Sequence, residues 1–286
     1  MTGFLGSRVL TAVLATGLRA RVLVREHSKA PTLQNCTAIR GDLRDSQARE
    51  QLVDGANTLI HMAAAMGSGD EALLHEVNGA SSRALFVAAS RAGVDRIVLV
   101  STMAALRPHD GPYAASKAQG QEALANFAGT SIVLQPPLIY GHGSQVTSTI
   151  LGLARFNIVP VINSSAPLYP VHVDDVAAAC TEAALSEDAE SGSYPLPGPE
   201  AINFPEFTQR VLAQFNSRAR IVRLPERVSR GLCRFMEATM PRPVLTSESV
   251  NAVLKGSATS DYSAAARTLG FAPRCLDQGL ANLRSR

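Results

Sequence analysis

Residues 96–117 read RIVLVSTMAALRPHDGPYAASK, and the fold follows from how that stretch is read. Ile97 to Val100 is an unbroken apolar run, mostly β-branched, as expected of a strand buried on both faces of a parallel sheet. Ser101 and Thr102 stand where that strand ends. Tyr113 and Lys117 are four apart in a segment that continues AASKAQGQEALANF, which holds good helix formers and no proline. On a helix, positions i and i+4 share a face. A hydroxyl at a strand end, a phenol and an ammonium therefore converge on one crevice.

That trio has a chemical use. A free tyrosine has a pKa near 10 and is a poor base at neutral pH, and an ammonium held nearby favours its phenolate. Such a tyrosine can exchange a proton with a substrate oxygen while hydride moves to or from a nicotinamide. Thr102 would hold the same oxygen. The plainer alternative is a surface tyrosine one turn from a surface lysine. Only three lysines occur (Lys29, Lys117, Lys255), so the pairing gains weight from the strand before it.

The stretch resembles the active-site segment of the short-chain dehydrogenase/reductase superfamily, and most closely its extended, sugar-nucleotide epimerase/dehydratase-like branch. The resemblance implies a Rossmann-like, doubly wound parallel α/β sheet with a small, mostly C-terminal α/β substrate domain. Residues 1–145 form the expected NAD(P)-binding domain, to which 168–198 return. Residues 146–167 and 199–286 form the expected substrate domain.

Working outward, Gly3-Phe4-Leu5-Gly6 opens a helical stretch running to about Gly17. Glycines at a strand-to-helix turn let the backbone approach a pyrophosphate, and the helix N-terminus supplies free N–H groups. In the resembled family the motif is Thr-Gly-x-x-Gly-x-x-Gly after the first strand. Gly3 and Gly6 match its last two glycines, while the first glycine and the first strand have no counterpart. The expectation is a truncated or mis-started chain, with two alternatives: another segment fills the gap, or cofactor binding has been lost.

Ala20 to Val24 reads as a strand followed by Arg25. An arginine there suits a ribose 2′-phosphate, so NADP is expected over NAD. Gly41-Asp42-Leu43 resembles the family's third-strand end, where Asp42 and Leu43 would flank the adenine; Asp42 is alternatively a helix N-cap. Thr58 to Met62, then Ala63, Ala64 and Ala65, looks like the fourth strand and the small-residue turn beneath the cofactor. His61, inside that strand, reads as a core histidine. Residues 70–92 carry a helical pattern in which Asn78 matches a family asparagine that supports the active-site strand. Residues 131–134 read as the next strand.

Gln135 and Pro136 to Gly143 resemble the family loop that packs on the nicotinamide end, with Pro136 at the cofactor. Gln135 and Gln121 stand where arginine and glutamate are usual, as if a pair had become neutral together. A helix is read over 149–156, another over 203–215, and a short strand over 221–224. Val171-His172-Val173-Asp174-Asp175-Val176 resembles the family segment that returns to the main sheet. Its two aspartates suit a helix start better than a metal site, and no metal is expected. Ser193 to Pro199 reads as a turn-rich connector. The basic segment 225–243 is read as a surface lid, with a dimer contact or a membrane-surface helix as alternatives.

Of 286 residues 46% are hydrophobic and 18% charged, with a net charge of +3. The charge is mild and dispersed, which argues against nucleic acid. Cys36, Cys180, Cys233 and Cys275 are far apart and read as buried free thiols in a reducing compartment. No apolar run reaches membrane-spanning length, so the expectation is a cytoplasmic protein with a small-molecule substrate and a possible homodimer. The function expected is NAD(P)-dependent oxidation, reduction or epimerisation at a hydroxyl or carbonyl through Thr102, Tyr113 and Lys117, with a nucleotide sugar as one candidate substrate. Rival readings are an NADP-dependent reductase of a non-sugar ketone and a non-catalytic NADPH-binding scaffold like the accessory subunit of respiratory complex I.

Overall fold

A computed structural model describes residues 3–67, 70–240 and 245–283. Thr2 of the glycine motif and the end of the basic segment, 241–243, lie outside the described residues. The centre is a four-stranded sheet in the order β3 (Thr58–His61), β4 (Arg96–Val100), β5 (Thr130–Gln135), β9 (Gly192–Pro195), with every ladder parallel. The apolar run of β4 supplies both faces. Val98 and Val100, with Ile132 and Leu134 of β5, pack against Val176 and Cys180 of α7 (Val173–Leu185) and Val9 of α1 (Phe4–Ala15). Ile97, Leu99 and Val133 pack against Leu85 and Phe86 of α4 (Ser82–Arg91). Helices thus cover both faces, which makes the arrangement doubly wound. Each such fully buried aliphatic side chain stabilises the fold by about 1.5–3 kcal/mol.

A second parallel pair stands apart, β1 (Ala20–Val24) with β2 (Cys36–Arg40). Among the described residues no ladder joins β1 to β3, so the sheet is split where the family's first strand would lie. Helix α1 links the two pieces. Its Leu10 packs on Val22 and Val24, and the adjacent Val9 enters the main core.

Residues 70–92 are helical with an inserted π segment: α3 (Glu71–Leu74) is capped by Asp70, the π turn spans His75–Ser81, and α4 follows. The helix expected over 149–156 begins earlier, as α6 (Gln145–Ala154). The connector expected over Ser193 to Pro199 is in part strand β9, because the free edge of β5 pairs with its backbone whatever its side chains. Strands β6 (Ile139–Tyr140) and β8 (Val171–His172) form a short parallel pair.

A further core gathers α6, β7 (Ile158–Ile162), α8 (Phe204–Gln214), β10 (Arg220–Leu224) and α12 (Leu276–Ala281) around Val159, Val161, Phe207 and Val211. Helices α9 (Glu226–Thr239) and α10 (Ser247–Lys255) pack on Ile162 through Cys233, Val250 and Val253. Helix α11 (Ser263–Leu269) joins the main core through Ala265 and Leu269. The tail is tied to α7 where Arg274 donates from N and Nε to Asp175 at 3.0 and 2.8 Å, while Asp174 lies 3.7 Å from Arg8. All four cysteines are free; Cys180 and Cys233 are buried, whereas Cys36 and Cys275, expected to be buried, are half-exposed.

Candidate active site

The site is built at the C-terminal end of β4. Ser101 continues the ladder by donating its N–H to Leu134 at 2.8 Å, and Met103 donates to the carbonyl of Pro136 at 3.1 Å. Thr102 Oγ1 accepts from Ala104 N at 3.3 Å and caps the 3₁₀ turn Met103–Leu106. Gly111, at φ 145°, occupies a backbone region that side chains rarely adopt, and Pro112 then opens α5 (Pro112–Glu122). This turn places Tyr113 in the first turn of α5 and Lys117 one turn on.

Helix α5 is held close to the π turn. A Cβ on Gly120 would come within 2.6 Å of the Asn78 carbonyl, so only glycine allows this approach. Asn78 accepts from Ala65 N at 2.8 Å, donates to Ala65 O at 3.1 Å and donates to Ser116 Oγ at 3.0 Å. It therefore clamps the small-residue turn after β3, with Ala63 and Ala64, to the helix that carries Tyr113. The insertion of a π turn at this point aims Asn78 at both partners.

Gln121 and Gln135 form the neutral pair that the sequence suggested. Gln135 Nε2 donates to Gln121 Oε1 at 2.8 Å, and Gln121 Nε2 donates to Ser101 Oγ at 2.8 Å. Ser101 is thereby engaged from the side. His61 is a core residue, 2.9 Å from Ser82 Oγ and edge-on to Phe86, and burial first, then the charge of Lys117, brings its pKa down to about 3. His172 caps α7 by accepting from Asp174 N at 3.2 Å.

Lys117 is buried and donates from Nζ to the carbonyl of Val100 at 3.1 Å. Burial lowers its pKa to about 8. Its charge acts on His61, whereas the influences on Tyr113 are burial and then the carboxylate of Glu248, and both raise the phenol's pKa above its usual value. The depressed tyrosine pKa expected from the four-residue spacing is thus not found in this arrangement, where burial first and then Glu248 push the phenol the other way.

Glu248 has no signal in the sequence; it lies on α10, far along the chain. It is half-buried, accepts from Gly67 N at 3.0 Å, and burial raises its own pKa. The rest of α10 is fastened to the loop before Tyr113. Asn251 donates to Asp110 O at 3.2 Å, Lys255 Nζ lies 3.2 Å from Asp110 Oδ1, and Arg107 donates to the Lys255 carbonyl at 3.2 Å.

The dinucleotide candidates fall in two places. Gly3 precedes α1 with no side-chain cap and no acid in the first turn, and Phe4 and Leu5 begin that turn before the buried Gly6. Its orphan N–H groups and positive dipole end suit a phosphate. Phe4 lies beside Gly143, so this turn adjoins the loop beginning at Pro136. Arg25 is exposed at the end of β1. Asp42 is not the N-cap of α2 (Ser46–Val53); Asp45 is, accepting from Gln47 N at 3.0 Å. Asp42 instead pairs with Arg44 at 2.8 Å, which holds its carboxyl below the usual range, and Leu43 is buried with Val53 and Leu59. No group of three or more potential metal ligands occurs among the described residues.

The split parallel sheet, the uncapped α1 terminus and the Tyr113–Lys117 helix define an α/β dinucleotide-binding protein of the extended short-chain dehydrogenase/reductase kind. Residues 2–152 match the family described as NAD(P)H-binding, and the chain belongs to it. It is 35% identical over 180 residues to a protein named "Ceramide reductase" from Caulobacter vibrioides, covering 62% of this chain and 56% of that one. It is 23% identical over 295 residues to the mitochondrial "NADH dehydrogenase [ubiquinone] 1 alpha subcomplex subunit 9" of Arabidopsis thaliana, covering 96% of this chain and 73% of that one. The fold is shared with the UDP-glucose 4-epimerase of Thermus thermophilus in complex with NAD, at a TM-score of 0.77 and 21% identity over 99% of this chain and 96% of that one. The chain spans about half the length of the ceramide reductase and of several other curated relatives, or less.

Proposed function

We propose that the chain is an NADPH-dependent reductase of a neutral, non-sugar ketone. The observation that supports this reading is the placement of the half-buried Glu248 on α10, which Asn251 and Lys255 fasten to Asp110 just before Tyr113. A carboxylate near the reacting end disfavours an anionic substrate such as a nucleotide diphosphate, and burial first, then this carboxylate, favours the protonated phenol. A protonated phenol is the form needed to reduce a carbonyl.

The residues fit the cofactor in the way described for α1. The first turn after Gly3 would hold the pyrophosphate, Arg25 the 2′-phosphate, with Asp42 and Leu43 at the adenine and Ala63, Ala64 and Pro136 along the body. When bound, NADPH supplies the hydride that adds to the carbonyl carbon. Tyr113 gives its proton to the carbonyl oxygen, which becomes the hydroxyl of the product, and Thr102 orients that oxygen. Lys117 would hold the nicotinamide ribose and offset the charge left on Tyr113, using the two ammonium N–H groups not given to the Val100 carbonyl. The core around Phe207 and Val211, with α9 and α10, would form the substrate-binding part. Relatives named as a ceramide reductase, a ketoreductase and an oxoalkanoate reductase support the choice of a non-sugar substrate.

Turnover of NADPH with uncharged long-chain ketones, set against UDP-sugars under the same conditions, tests the reading. Oxidation of NADPH by a ketone alone supports it. Conversion of the UDP-sugar alone would overturn it in favour of the epimerase reading. A second reading, a non-catalytic NADPH-binding protein, is supported by the similarity over 96% of this chain to the Arabidopsis NADH dehydrogenase subcomplex subunit. It predicts NADPH binding with no turnover of any carbonyl or alcohol.

A further inference from the structure

Helix α9 divides its surface into three stripes. Ser229 and Cys233 are buried, one turn apart, toward α10. Val228, Leu232 and Phe235, at i, i+4 and i+7, form a second stripe that faces solvent, with Phe235 66% exposed. Arg227 and Arg234, seven apart, lie along a third. The helix continues through Gly231, so its amphipathicity is stronger and less interrupted than the sequence suggested.

The β7–β10 pair, reached from α9 through the buried cluster of Cys233 and Ile162, carries further exposed apolar side chains. In the parallel pairing of β7 with β10, Ile158, Pro160 and Ile162 share a face with Arg220, Val222 and Leu224. Helices α9 and α10 cover that face only at its Ile162 end. Ile158 and Val222 remain 51% and 43% exposed, and Phe156, just before the strand, 77%. Exposed apolar side chains gathered on one helix stripe and one strand-pair face mark an interaction site.

Its rim is cationic. Arg155, Arg220, Arg227 and Arg234 make no ion pair among the described residues and Glu226 is paired with Arg230 at 2.8 Å, while Glu237, held by Ser247, is the remaining anion on α9. Apolar side chains flanked by unpaired arginines match the two layers of an anionic bilayer surface, acyl boundary and phosphate headgroups. No helix among the described residues is long and apolar enough to cross a membrane, so the contact would lie in the plane of the interface.

We propose that α9 and the bare face of β7–β10 form an interfacial docking surface for anionic lipid membranes. The surface is independent of the chemistry assigned to Tyr113. Because α9 packs on α10, and α10 carries Glu248, docking would bring the candidate site next to the lipid phase.

The full chain is sedimented with vesicles of phosphatidylglycerol and phosphatidylcholine in equal parts, and with vesicles of phosphatidylcholine alone. The expected result is at least about tenfold stronger partition to the anionic vesicles, weakened by salt, since arginines near such a surface are drawn to its phosphates. A Leu232→Ser/Phe235→Ser variant loses binding while its circular dichroism and melting temperature stay those of the parent. Arg227→Gln/Arg234→Gln weakens it with the same control. No partition into anionic vesicles, or equal partition into both, overturns the proposal. So does a dimer in sedimentation velocity that the Leu232→Ser/Phe235→Ser variant dissociates, which would assign the face to a second copy of the chain.

Discussion

The two pieces of the parallel sheet are built to different standards. In the four-stranded piece, β4 and β5 bury nearly every residue, and two clusters sandwich them. In the two-stranded piece, β1 and β2 bury only Val22 and Val24, and the cluster beneath them has three fully buried members, Leu10, Val22 and Val24. The candidate proton-transfer residues stand on the first piece and the proposed 2′-phosphate residue on the second. The proposed chemistry would thus rest on the well-packed elements, and the proposed nucleotide end on the smaller piece, which is held by α1 through Leu10 and by α2 through the bonds of Arg21 to the carbonyls of Gln51 and Asp54.

The largest effect expected is on the catalytic end. Tyr113→Phe removes the proton donor and should lower turnover by about a thousandfold or more, with NADPH affinity nearly unchanged by calorimetric titration. Turnover within tenfold of the parent would remove Tyr113 from the chemistry.

The comparison of the two pieces is tested next by cavities. Leu134→Ala, in the main core, should cost about 2–5 kcal/mol of global stability in urea unfolding. Leu10→Ala should cost less globally and should speed amide hydrogen exchange in β1 and β2 before β4 and β5. Equal protection of the four strands in the parent would erase the distinction.

Lys117 sharpens the comparison through pH. Its folded pKa, about 8, lies below its ordinary 10.5, so the folded state resists the charge. Between pH 8 and 10.5 the unfolded chain binds more protons, and stability rises with pH through that window. Below pH 8 the full penalty is present. Lys117→Met should therefore stabilise the protein by about 1–3 kcal/mol at pH 7, with the gain shrinking toward pH 10.5; a gain independent of pH would mean that burial of the ammonium is not its source. His61 acts in the same sense at lower pH. Its folded pKa of about 3 means stability is lost as pH falls from 6.5 toward 3.

The smallest effect is expected at the thin piece. Arg25→Ala should weaken NADPH about tenfold while leaving NADH unchanged, measured by titration. An equal loss for both cofactors would place Arg25 elsewhere than at the 2′-phosphate.

Much of this was legible in the order of residues. The run Ile97–Val100 could satisfy its apolar side chains only between two layers of helices. The Tyr113–Lys117 spacing put both on one helix face, and Gln121 and Gln135 could be paired because both departed from the resemblance together. His61 was readable as core because it sits inside an apolar strand. Strand β9 was not legible, since its pairing comes from the open edge of β5 and not from its own side chains.

The sequence by itself thus determined the parallel α/β class and which residues stand at the β4 end, because local periodicity and motif order are written along the chain; that no other segment joins β1 to β3 among the described residues was left to the structure. Only the tertiary structure decided where charges fall. It turned the Lys117 ammonium to the Val100 carbonyl, brought Glu248 from α10 to Tyr113, and left Val228, Leu232 and Phe235 facing solvent. Those outcomes depend on which distant segments pack together, and electrostatics and burial act through space without regard to separation along the chain.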